Sequence, residues 1–137
     1  MIRSIASLRH FASPNAAILL CGCGSKDGSE IHETTSLLIS LSKHSIKYKC
    51  YASNAMQYHT IDHSTEKPTN DKRNMLSESA RLSRGNIQDI STLKVNEFNM
   101  LAVPGGFGMA KNLSDYGIVG KKFTVKSDFT KIIMEFY

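Results

Sequence analysis

The sequence has no long hydrophobic run. Its longest candidate near the front, Ala16 to Cys23, falls far short of the roughly 18 apolar residues that a helical membrane span requires. A span of that kind is excluded. With 9 glycines and 3 prolines it also lacks the bias of collagen-like or low-complexity chains, and 41% hydrophobic against 21% charged residues is the balance of a soluble globular domain able to bury a core. The 137 residues fit one domain or a piece of a somewhat larger one, and two packed domains are ruled out. Cysteine is scarce and odd in number, 3 in all. Cys21 and Cys23 are separated by one residue, poor geometry for a bridge, so no disulfide framework is expected and a reducing compartment fits better. The charge surplus is small, +5 overall and +3 without Arg3 and Arg9, with lysines dispersed along the chain. That is an ordinary solvated surface, and no nucleic-acid partner is expected.

No acid occurs before Asp27, and Met1 to Ser13 combine arginine, serine and apolar residues, with Ile2, Ile5 and Leu8 at helical spacing. This is the composition of a basic amphipathic targeting segment. Arg9 and His10 interrupt the apolar core that a secretory signal needs, so the pattern indicates import into the mitochondrial matrix. We place a transit peptide at residues 1–11, cleaved after Phe11, with Arg9 two residues before the cut, and a single domain over residues 12–137.

Strands and helices then alternate. Ala16–Cys21 is a continuous apolar run followed by glycines, the mark of a strand buried on both faces. Ser29–His44 reads as a helix with Ile31, Thr34, Leu38 and Leu41 on one stripe and Ser29 or Asp27 as its cap. Lys47–Ala52 alternates as a second strand. Met56–Asp62 is a candidate short strand, His63–Thr69 a loop, and Asn70–Arg84 a helix stopped by Gly85. Ile87–Leu93 fits further helical turns. Phe98–Val103 is a third core strand ending at Pro104-Gly105-Gly106, Ala110–Tyr116 begins a helix, and Lys126–Tyr137 carries Phe129, Ile132, Ile133 and Phe136 at helical spacing. Such alternation predicts an open parallel sheet covered on both faces, with ligands beyond the carboxyl ends of the strands. Two of those ends stand out, Cys21–Glu33 and Val103–Asn112.

Three segments, G-C-G-S-K-D-G-S-E-I-H-E at Gly22–Glu33, R-N-M-L-S-E-S-A-R-L-S-R-G at Arg73–Gly85 and V-P-G-G-F-G-M-A-K-N-L-S-D at Val103–Asp115, closely resemble the ElbB branch of the PfpI-like superfamily. That superfamily is also called class I glutamine-amidotransferase-like, and the animal members of this branch are the mitochondrial ES-one proteins. The similarity runs from about Ala16 to the C-terminus. It implies an α/β, flavodoxin-like three-layer sandwich with a parallel sheet, usually dimeric. It also implies a nucleophilic cysteine on a strained strand-to-helix turn, a glutamate from the first helix contacting that thiol, and amides of the Pro-Gly-Gly loop facing it. Aligned without gaps, the glutamate falls on Glu33, with Glu30 as fallback, and Gly105 and Gly106 take the oxyanion role. A carboxyl sharing a proton with a thiol helps hold a thiolate, and glycines let amides approach an oxyanion.

In the family the elbow cysteine follows the helix that here ends near Tyr137, so the expectation is a truncated chain that keeps the helper groups and lacks the nucleophile. The sheet is then incomplete on its C-terminal side, and the expected partner is a second copy or a full-length relative. A full-length form is expected to act through cysteine on small reactive carbonyls, as a glyoxalase or deglycase, whereas this chain is expected to be non-catalytic. A link to isoprenoid metabolism rests on the ElbB name alone.

Acids in a first helical turn are favoured by the helix dipole without any catalytic role, but Glu30 and Glu33 lie beside the Leu37 and Leu41 stripe, where an unpaired acid is costly. Cys23 reads as core rather than as a redox thiol. Cys21, Cys23 and His32 fall one ligand short of a zinc site. Gly22, Gly24 and Gly28 are misplaced for a dinucleotide loop, and the run to Lys111-Asn112 lacks the ending of a phosphate loop, so no cofactor is expected. His59 and His63 read as surface residues.

Overall fold

A computed structural model describes residues 14–137. The expected transit peptide and the expected cut after Phe11 lie outside them. The elements in order are β1 (Asn15–Leu20), α1 (Ile31–Lys43), β2 (Lys47–Ala52), β3 (Thr60–Asp62), β4 (Lys67–Thr69), α2 (Met75–Ser83), β5 (Ile87–Asp89), β6 (Met100–Ala102), α3 (Tyr116–Val119) and α4 (Ser127–Phe136). One four-stranded sheet has the order β5-β2-β1-β6, and its three pairings are all parallel. The strand, helix, strand reading of β1, α1 and β2 therefore holds, with Asn15 opposite Lys47 and Leu20 opposite Ala52.

Alternate side chains of β1 enter two cores, as a doubly covered strand requires. Ala16, Ile18 and Leu20 pack with Leu37, Leu38 and Leu41 of α1 and Leu76 and Leu82 of α2. Ala17, Leu19 and Cys21 face Phe129, Ile132 and Phe136 of α4 together with Met75, Phe98 and Leu113. Tyr51 and Phe98 meet edge to face there, with centroids 5.9 Å apart. This is a three-layer α/β sandwich.

Several boundaries differ from expectation. Ile87–Asp89 is an edge strand paired with β2, not a helical turn, and a 3-10 turn at Ile90–Thr92 follows it. The loop expected at His63–Thr69 contains β4, which forms an antiparallel hairpin with β3. Pro68 is compatible with so short an edge strand. Helix α2 starts only at Met75, where Asn74 Oδ1 accepts the Ser77 amide at 3.1 Å; the residues before it are non-helical. The helix expected from Ala110 is a π turn over Met109–Leu113 followed by the short α3. In α1, Ile31 leaves the expected stripe and is exposed.

Candidate functional site

The loop after β1 is built by short polar groups. Ser29 is fully buried, and its Oγ accepts the Cys21 amide at 3.0 Å. Asp27 is buried as well, its Oδ2 accepting the Ile61 amide at 2.7 Å. Both residues are thus committed inward, and neither caps α1 as expected. Glu30 does so instead: its backbone is extended, and Oε2 accepts the Glu33 amide at 2.7 Å. That hydrogen bond, with help from His32, holds the Glu30 carboxyl below its usual range.

The loop after β6 lies directly against this one. The Glu30 amide donates to Gly105 O at 2.7 Å, and the Gly105 amide donates to Glu33 Oε2 at 2.7 Å. Farther along, Phe107 N reaches Ser25 O at 2.8 Å and Gly108 N reaches Gly28 O at 3.1 Å. A Cβ on Gly105 would run into the Glu33 carboxylate, and one on Gly106, already at φ 111°, would run into Gly28 O and Glu30 N. At Gly106, where the obstacles are backbone atoms, only glycine permits this approach. Glu33 is itself exposed, so the cost of an acid buried beside Leu37 and Leu41 does not arise. The Gly105 clasp, rather than burial, fixes its position.

The Gly105 amide is therefore spent on Glu33. The Gly106 amide has no acceptor among the described residues, and Glu33 Oε1 has no donor. The four residues singled out from the sequence come together: Glu30, Glu33, Gly105 and Gly106 form one continuous clasp across two strand ends.

Three buried side chains that sequence reasoning passed over hold the loops. Asn112 donates through Nδ2 to Cys21 O and to Asp27 O, both at 2.9 Å, and accepts the Tyr58 amide at 2.9 Å. Ser79 of α2 accepts the Gly22 amide at 2.9 Å, and Gln57 Nε2 donates to Asp27 O at 3.0 Å. Ser79 and Asn112 lie inside the quoted motifs, which was the available signal. Gln57 carried none. Glu78, also buried, is neutralised by Arg81 at 3.2 Å and Arg73 at 3.7 Å.

The 3 cysteines are separate thiols. Burial pushes Cys21 and Cys50 up to about 11, and burial followed by the Glu78 charge raises Cys23. None is tuned to ionise near neutrality. Cys23 is only half-buried rather than fully in the core. Among the described residues no group of three or more His, Cys, Asp or Glu is placed to hold a metal ion. His59 is half-buried rather than on the surface, with Nε2 3.1 Å from Lys111 Nζ. His63 is exposed, and its Nε2 accepts the Lys26 amide at 3.3 Å.

No protein-family model matches the chain. The chain is 39% identical over 122 residues to the human protein described as glutamine amidotransferase-like class 1 domain-containing protein 3, mitochondrial, a match covering 88% of this chain and 46% of that protein. The rat ES1 protein homolog, mitochondrial, is 38% identical over the same shares. A crystal structure of an isoprenoid biosynthesis protein with an amidotransferase-like domain, from Ehrlichia chaffeensis, superposes with TM-score 0.85 at 40% identity, covering 90% of this chain and 58% of that one. Its homologues are the mitochondrial ES1 and class 1 glutamine-amidotransferase-like proteins. The α/β architecture with its parallel sheet is the flavodoxin-like one the resemblance implied. As for the ES1 proteins it matches, the location is mitochondrial. The chain spans about half the length of the curated ES1 relatives it matches.

Proposed function

We propose that this ES1-like chain carries the acid and amide groups of a cysteine-dependent site and is by itself non-catalytic. The Glu33–Gly105 hydrogen bond supports the reading. It orients a carboxylate with one oxygen fixed and Oε1 left open, beside the unpaired Gly106 amide. In that arrangement Oε1 shares a proton with an incoming thiol, and Gly106 N–H stabilises an oxyanion as charge develops there. Gly105 acts as the positioning member and Glu30 as the cap that sets the helix start. The protein's own thiols are all held protonated, so none of them serves this site as its nucleophile.

A second copy or a full-length relative is the partner in this reading, with no nucleic acid and no cofactor. Residues 1–11 act as the matrix transit peptide ahead of the domain at 12–137. The open Gly106 amide also favours a second reading, in which a full-length form processes small reactive carbonyls as a cysteine-dependent glyoxalase or deglycase.

The test is a methylglyoxal turnover assay on the chain. No thiol-dependent rate above buffer is expected. Turnover that disappears in Glu33→Ala would overturn the non-catalytic reading.

A further inference from the structure

Beside the clasp lies a second cluster that the proposed function does not use. Lys111, on the π turn, is half-buried. Its Nζ donates to Lys26 O at 3.1 Å, sits 3.1 Å from His59 Nε2 and lies 4.6 Å from the centroid of the Phe107 ring. An ammonium has only protons to offer, so His59 Nε2 is the acceptor and its proton is on Nδ1. The amine looks into a cleft of ≈ 440 Å³ lined by Ser25, Lys26, Ile61, Glu66, Phe107 and Lys111. At its mouth Lys26 and Glu66 form an exposed ion pair at 3.0 Å. Asp27, next in the chain to the cleft-lining Lys26, is buried; its Oδ1 takes no hydrogen bond and lies 3.9 Å from His63 Nε2. An uncompensated buried carboxylate oxygen favours a cation nearby.

We propose that Lys111 is a nucleophilic amine that captures a small aldehyde or ketone in this cleft as an imine, with His59 moving the protons. His59 Nε2 takes a proton from the ammonium. The freed Nζ lone pair forms a C–N bond to the carbonyl carbon while the C=O π pair moves to oxygen. The imidazolium protonates that oxygen and then takes a second proton from nitrogen, giving a neutral carbinolamine. It finally returns this proton as the hydroxyl leaves as water, so the ammonium charge reappears on the protonated imine. One positive charge is present throughout, within the field of the Asp27 carboxylate.

The electrostatics point the same way. Burial lowers the basicity of Lys111, with the like charge of Lys26 adding and Asp27 opposing. Burial and then Lys111 lower that of His59, with Asp27 again opposing. A desolvated lysine beside a second cation is an activated amine.

The experiment incubates the whole chain with glycolaldehyde and sodium cyanoborohydride across a pH series and reads the reduced adduct on each lysine by peptide mass spectrometry. Lys111 should label at least about threefold faster at neutral pH than the exposed Lys121 and Lys122, with its rate rising at lower pH than theirs. His59→Gln should bring Lys111 down to their rate while leaving theirs unchanged, and Glu33→Gln should leave all rates alone, which separates this site from the clasp. If the His59 variant fails to fold, the wild-type pH profile decides. Labelling of Lys111 at or below the rate of Lys121 and Lys122 throughout the series would overturn the proposal and leave Lys111 a tether for the Lys26 loop.

Discussion

Replacing Asn112 with alanine removes three hydrogen bonds from a buried position between the two loops. Asp27 O keeps Gln57 Nε2 as donor at 3.0 Å, so it is not stranded. The Cys21 carbonyl and the Tyr58 amide do lose their Asn112 partner. A buried polar group left unpaired costs about 1–3 kcal/mol and an ordinary intramolecular hydrogen bond is worth about 1 kcal/mol net. Tyr58 is an exposed residue, so only the Cys21 carbonyl is stranded in the interior, and one stranded group with two lost bonds comes to roughly 3–5 kcal/mol. For a domain of this size that lowers the melting temperature by about 10–20 °C. Urea unfolding at constant pH, followed by far-UV circular dichroism, measures the loss directly. Asn99→Ala serves as the comparison, since Asn99 Oδ1 only accepts the Asn15 amide at the surface, and it should cost under about 1 kcal/mol. A loss below about 1 kcal/mol for Asn112→Ala, equal to that of Asn99→Ala, would mean that this side chain does not staple the two loops.

Other outcomes follow from the same geometry. Gly106→Ala places a Cβ at φ 111° against Gly28 O and Glu30 N, and strain with displacement of the loop should cost about 2 kcal/mol or more in the same unfolding experiment. With Cys21 and Cys50 pushed up to about 11, only about one thiol in a thousand is ionised at pH 8. Ellman's reagent should leave both untouched in the native protein and react with all 3 cysteines in denaturant. Glu30 is held below its usual range by the Glu33 amide and Asp115 by the Thr124 amide. A depressed folded-state value gives stabilisation that is complete above the ordinary carboxylate range and is lost as pH falls through the folded values. The urea midpoint should therefore drop as the pH falls through and below the ordinary carboxylate range, with a shallower drop in Asp115→Asn. Parallel curves for wild type and variant would sink that assignment.

Much of the architecture was legible because the strongest signals are those of burial. β2 was placed to the residue and β1 to within one, since strands covered on both faces are apolar throughout or alternate cleanly. The glycines that let the second loop approach the first were visible too. The edges were not. β5 is three residues long with Gln88 and Asp89 in it, and β4 contains Pro68. Short exposed strands leave no periodic imprint. The cap of α1 was misplaced because Ser29 and Asp27 both suit that role locally, while tertiary hydrogen bonds from Cys21 and Ile61 claim them. Lys111 and His59 stand 52 positions apart, and no local pattern brings such a pair together.

Glu33 and the Gly105–Gly106 turn form one clasp that leaves the Gly106 amide open. Hydrogen exchange resolved at Gly105 and Gly106 tests it most directly. A slow Gly105 amide is expected beside a fast Gly106 amide, with Gly105 accelerating to match its neighbour in Glu33→Ala while the exchange of β1 is unchanged. Equal rates at the two glycines in the wild type, or a Gly105 rate indifferent to Glu33→Ala, would contradict it.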